Sequence, residues 1–421
     1  MLDRLWEVRL EKIEKEGVFW NMMSSGLNSV VSMLLLLVVT RISGVKEAGI
    51  FSLGFSTSQM MLTIGNYGMR NYQVTDVRNK YQMHSYLASR IITNVIMMAA
   101  AFVFCMLEGY YSEKFAVTVL LCILKATDAF DDVYGGYYQK NGRLDVSGKL
   151  MSIRIIFYIV SFCICLALTD NLIISCLVMC GVSATVLIVL VMSTRDIFTL
   201  DIPVFHFRTD IQLLVECLPL CVSAFLLIYM GNAPKYAIDM YLTENDQAYY
   251  TYLFMPCFVT NLFVGFALQP LLVRLSKAWF HKKYGHFLKL CSLIFIGAVF
   301  IGIVFVIVGG AFGCQILSAV FGVSVMKYKN VLIVLLIGGA FFSFAVIEQI
   351  ILTVMRRQAF LVIGFCVGSL TAMWISGPLV SAQGLLGAGY AYTVSAGTLF
   401  VILGVMIMVF LLMEIRRGKS A

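Results

Sequence analysis

The stretch STRDIFTLDIPVFHFRTDIQ, residues 193–212, divides the chain in two. It carries Arg195, Arg208, Asp196, Asp201 and Asp210 together with Pro203, and it separates two long series of apolar runs. A helix needs roughly 20 mostly apolar residues to cross the hydrocarbon of a bilayer. Six such runs precede the stretch, at 18–39, 48–69, 86–107, 115–134, 150–168 and 172–192. Six follow it, at 213–230, 249–268, 287–308, 331–353, 360–377 and 385–412. Composition agrees, since 60% of the 421 residues are hydrophobic and only 13% are charged, more apolar surface than a soluble fold has use for. A membrane barrel would show alternating segments of about ten residues instead. The expectation is an all-α polytopic membrane protein, about twelve transmembrane helices in two six-helix lobes around a central cavity, as in many transporters. In residue terms this gives an amphipathic helix at 1–17, lobes at 18–192 and 213–413, a linker at 193–212 and a basic tail at 414–421.

The charges set the orientation. Of 31 Lys and Arg residues, 24 fall on one side of this span pattern, six on the other and Lys125 inside a span, which places both termini in the cytoplasm. The net charge of +8 is thereby accounted for, and no nucleic-acid partner is expected. The opening MLDRLWEVRLEKIEKEG is too polar for the core of a signal peptide, so no cleavable signal is expected. It reads as an interfacial helix with Leu2, Leu5, Trp6 and Ile13 toward lipid. Twelve cysteines lie scattered in apolar segments, and no Cys/His set has zinc spacing, so no metal or other cofactor is expected.

Two intramembrane features stand out. In the fourth span, Lys125, Asp128 and Asp132 follow i, i+3, i+7 and share a helix face, with Asp131 off that face. A charge at this depth normally faces a partner or water rather than lipid. Either the aspartates pair with Lys125 inside the protein, or the helix ends near Phe130 and they sit among headgroups. In the tenth span, Glu348 is a candidate proton or cation site, or a helix-end acid near Arg356 and Arg357.

The stretch TRISGVKEAGIFSLGFSTSQMMLTIGNYGMRN (40–71) carries a pattern with further matches along the chain. They are Tyr134-Gly135 with Gln139 and Arg143, Leu218-Pro219-Leu220 with Lys235-Tyr236, Gln269-Pro270 with Arg274, and the glycines at 384, 387 and 389. On these the chain resembles the polysaccharide-transporter family, the O-antigen and capsule flippases of the multidrug/oligosaccharidyl-lipid/polysaccharide (MOP) exporter superfamily. One departure is Val45-Lys46, where such proteins usually carry a proline. The resemblance implies a non-enzymatic carrier of the bacterial inner membrane. It would move undecaprenyl-diphosphate-linked oligosaccharide units from inner to outer leaflet by alternating access, in surface-polysaccharide biosynthesis, often driven by a proton or sodium gradient. Membrane lipids and polysaccharide-assembly proteins would be its other partners.

A carrier diphosphate bears roughly two to three negative charges, which arginine meets bidentately and lysine as a point charge. The candidates to bind it are Arg41, Arg70, Arg90, Lys125, Arg154 and Arg274, with Asp128, Asp132 and Glu348 as coupling or cavity acids. The same basic residues also serve topology or headgroup contacts. Asn28, Asn66, Asn94, Asn232 and Asn261 are candidates for sugar hydrogen bonds, or for bonds to neighbouring helices. Two other functions compete. A cation-coupled multidrug exporter of the same superfamily would want an acidic cavity. A membrane-embedded glycan polymerase or ligase would want a general base on a sizeable outer loop, and the outer loops expected here are short and lack histidine.

Overall fold

The computed structural model describes residues 6, 12–76, 79–199 and 201–419, with side chains left aside at 261–273, 415 and 417–419. Every regular element among them is helical. In chain order these are α1 (Ile13–Ile42), α2 (Val45–Asn66), the short α3 (Met69–Thr75), α4 (Met83–Leu107), α5 (Ser112–Lys140), α6 (Leu144–Thr169) and α7 (Leu172–Met192). There follow α8 (Phe207–Tyr241), α9 (Glu244–Phe280), α10 (Tyr284–Val308), a π-type turn at Gly309–Gly313, α11 (Cys314–Phe321), α12 (Lys329–Val354) and α13 (Leu361–Lys419). Each of the twelve expected spans has its helix, with 360–377 and 385–412 sharing α13. The chain packs as two units, Met1–Phe225 and Leu226–Ala421, the boundary falling inside α8.

Eight segments are long and apolar enough to cross a membrane on composition alone, and α2, α5 and α9 are not among them. For α2 the reason is burial. Its Ala48–Ser58 run is buried throughout, so its surface meets protein rather than lipid and need not be oily. In unit 1, α2 packs on α4 and α5, α5 on α7, and α1 lies along α6. The α1–α6 approach depends on Gly148, where a Cβ would come within 2.5 Å of the Trp20 carbonyl carbon. In unit 2, α12 is central, packing on α9, α10 and α13.

Helix ends follow local chemistry. Thr243 and Asp246 form a capping box at the start of α9, and the Asn171 side chain accepts the Ile174 N–H at the start of α7. The structure fixes two boundaries. α5 runs on to Lys140, so its aspartates lie within the helix rather than beyond an end near Phe130. The turn between the last two spans lies beyond Gly377-Pro378, through which the helix continues. It falls at Gly384 (φ 60°, ψ −136°), backbone only glycine adopts without strain.

The amino-terminal expectation is corrected at one residue. Trp6 does not face lipid but is buried among Tyr138, Leu150, Leu187 and Leu190. Its Nε1 donates to Ser193 Oγ (3.0 Å), and its carbonyl accepts from Arg143 (2.6 Å). An indole with a bonded N–H is as well served by a protein groove as by an interface. Residues 13–17 continue directly into α1. Residues 1–5 and 7–11 of the expected surface helix, Leu2 and Leu5 included, lie outside the described residues, as do 420–421 of the tail.

Candidate functional site

Lys125 and the aspartates of α5 lie at the centre of an ion cluster that five neighbouring elements complete. Lys125 Nζ bonds Asp128 Oδ2 at 2.8 Å, the i,i+3 pair expected from spacing, and stands 4.8 Å from the centre of the Phe55 ring on α2. The other oxygen of Asp128 meets Arg154 Nη1 of α6 at 2.7 Å. Arg154 also holds Asp131 Oδ2, through Nη2 at 2.8 Å and Nε at 2.9 Å, and reaches Ser183 Oγ on α7 at 2.9 Å. Asp131, off the face of its own helix mates, thus points to α6. Lys125, Asp128, Arg154 and Asp131 form a quartet of two cations and two anions. Lys125 and Arg154 are each about 1% exposed. A buried charge persists only when paired in this way.

One turn further along α5, Asp132 does not share Lys125. It is taken by Arg90 Nη2 of α4 at 3.0 Å and by Arg70 Nη1 of α3 at 3.6 Å. Arg90 is fully buried, and its Nη1 donates to the Gly65 carbonyl at the end of α2. Arg70 also bonds Gln139 Oε1 at 3.1 Å. The side chains of Arg70 and Asp132 are 29% and 18% exposed, so this end of the cluster is partly open. Here two guanidinium groups share one carboxylate. The positive excess of the cluster therefore lies in this trio and not at Lys125. Beside it, the Oδ1 atoms of Asn66 and Asn94 are buried with no hydrogen-bond partner among the described residues.

The remaining candidates lie elsewhere. Arg41 is exposed at the last turn of α1. Arg274 is exposed on α9 in unit 2. Glu348, on α12 in unit 2, is 3% exposed, and its Oε2 has no partner among the described residues. It packs on Gly404, where a Cβ would sit 2.8 Å from Oε1. It is not the helix-end acid of the arginine pair, because Arg357 is bound by Glu414 at 3.1 Å. The side chain of Asn261 lies outside the described residues. Among the described residues no group of His, Cys, Asp and Glu has the arrangement of a metal site.

Sequence reasoning missed one polar knot of unit 1. Glu216 near the start of α8 accepts from the Tyr72 hydroxyl of α3 and from Lys80 Nζ at 2.5 Å. This bond draws the Lys80 ammonium above the ordinary lysine range and the Tyr72 phenol up to about 12. A glutamate near a span's polar end was the available signal, but its partners come from a different part of the chain.

No protein-family model matches the chain. The sequence is 23% identical over 383 residues to the capsular polysaccharide biosynthesis protein CapF of Staphylococcus aureus, covering 88% of this chain and 93% of that protein. An inward-facing multidrug resistance MATE family transporter of the MOP superfamily superposes with a TM-score of 0.69 at 12% identity, covering 93% of this chain and 98% of that one. A MOP superfamily transporter from Pyrococcus furiosus, whose binding pocket is of reversed polarity, gives 0.60 at 12% identity, with 97% of each chain covered. The fold is therefore that of the MOP superfamily transporters, as the sequence resemblance implied.

Proposed function

We propose that the protein is a flippase that moves a lipid-linked oligosaccharide across the bacterial inner membrane for surface-polysaccharide assembly. The observation that carries this reading is the uneven charge of the unit 1 cluster. Its quartet end is neutral, while the end that opens at Arg70 and Asp132 sets Arg70 and the buried Arg90 against the single carboxylate of Asp132. A diphosphate is the ligand that such an arginine pair suits, because its oxygens take bidentate contacts and supply acceptors that one shared carboxylate lacks. The unpartnered amide oxygens of Asn66 and Asn94 beside it suit sugar hydroxyls. The role of the Staphylococcus aureus relative in capsular polysaccharide biosynthesis supports the same substrate class. Glu348, a buried carboxyl of unit 2 with no counter-charge among the described residues, is our candidate for coupling to a proton or sodium gradient.

A second reading, export of organic cations, draws support from the three aspartates gathered on α5 and from the likeness to multidrug transporters. One experiment separates them. In a strain without the protein, the flippase reading expects lipid-linked repeat units to accumulate on the inner leaflet and surface glycan to disappear. Wild-type protein should restore both, and a double Arg70→Gln, Arg90→Gln variant should not. Normal surface glycan with raised sensitivity to cationic drugs would overturn the flippase in favour of the exporter. Elongated but unligated polymer outside the cell would point to a glycan ligase.

A further inference from the structure

Unit 2 holds a second basic site, independent of the ion cluster and of the reading built on it. A pocket of about 750 Å³ opens where the C-terminal ends of α9 and α12 face the start of α10 and the last turns of α13. Lys277, Lys282 and Arg356 line it together with Trp279, Tyr284 and Glu414. Among the described residues the three cationic side chains make no ion pair or side-chain hydrogen bond, and the one lining acid is already held by Arg357 at 3.1 Å. Lys282 (φ 57°) and Arg356 (φ 60°) occupy left-handed backbone, seldom adopted by residues other than glycine. There the chain leaves α9 and α12, and both residues border the same hollow.

The surroundings say what kind of anion fits. Trp279 and Tyr284 meet edge to face at 5.6 Å and form an aromatic wall of the type found at membrane interfaces. Phe280 next to it is 82% exposed, and on the Tyr284 face of α10 the exposed Leu288 and Val299 carry an apolar track along the helix. A free phosphate would use the cations alone. A phospholipid would use the cations, the aromatic wall and the apolar row together.

We propose that this pocket binds the headgroup phosphate of an anionic glycerophospholipid, with Lys277, Lys282 and Arg356 around the phosphate and an acyl chain along α10. One headgroup then ties the ends of α9, α10 and α12 to one another.

Native mass spectrometry of the full chain tests this, with phosphatidylglycerol, phosphatidylcholine or undecaprenyl phosphate added as probes and inorganic phosphate as competitor. Phosphatidylglycerol should be retained in preference to the other two lipids and resist millimolar phosphate. Each of Lys277→Gln, Lys282→Gln and Arg356→Gln should weaken its retention about fivefold at low salt. A control that removes three exposed cations from unit 1, Lys12→Gln, Lys15→Gln and Arg208→Gln together, should leave it unchanged. Thermal melting of each variant verifies folding, and lysine-to-arginine replacements should keep the lipid. Four results would overturn the proposal: equal retention of phosphatidylcholine, displacement by inorganic phosphate, preference for undecaprenyl phosphate, or equal loss in the unit 1 control.

Discussion

At the scale of single residues, the cluster on α5 separates into side chains that hold the protein together and side chains free to work. Arg154 is the partner of two acids at once, Asp128 and Asp131. Arg154→Ala should therefore destabilise the protein by about 3–5 kcal/mol, because it strands buried carboxylates; a melt in detergent measures this. Lys125→Ala should cost less, since Asp128 keeps Arg154, and adding Asp128→Ala should not sum with it. Arg70→Gln should cost under about 1 kcal/mol, its pair with Asp132 being long and partly exposed, yet it should impair glycan export. Stability and export thus fall on different arginines, and assay of both in the same variants checks the division. The Lys125–Asp128 pair could be read from spacing because both residues are on one helix. Asp131 looked misplaced for the same reason, as its partner comes from α6 and no periodicity within α5 encodes the facing of two helices.

At the scale of elements, two glycines do work that hydropathy does not record. Gly148 lets α6 press on the α1 backbone at Trp20, so Gly148→Leu should separate the pair and lower expression of folded protein, read as the monodisperse fraction after gel filtration. Gly384 breaks α13 in a conformation costing any other residue about 1–3 kcal/mol. Gly384→Ala should show that loss in a melt, whereas Gly397→Ala, with nothing within 4 Å of its added Cβ, should be near neutral. The twelve spans were legible because lipid imposes length and oiliness on most of them. Where a helix is wrapped by protein, as α2 is, that constraint lapses. The break in α13 is made at Gly384 alone, while Pro378 stays within the helix.

At the scale of the whole molecule, the charge bias of the loops predicts both termini on the cytoplasmic side. Epitope tags at the two ends should react only after permeabilisation, while a tag inserted at Gly109, between α4 and α5, should react on intact cells. Trp6 shows the limit of reading an amphipathic pattern: apolar side chains alone do not reveal whether their partner is lipid or protein. The division of the unit 1 cluster has an electrical consequence. A balanced quartet is a set of short dipoles on which the membrane voltage exerts little force. The Arg70–Asp132–Arg90 trio bears one net formal charge, and a full crossing of the field is worth roughly 2.3 kcal/mol per charge per 100 mV. Any rearrangement that shifts the trio in depth is therefore rate-controlled in part by the cell's potential, and collapsing that potential with an ionophore would slow or speed the step in proportion to the distance moved.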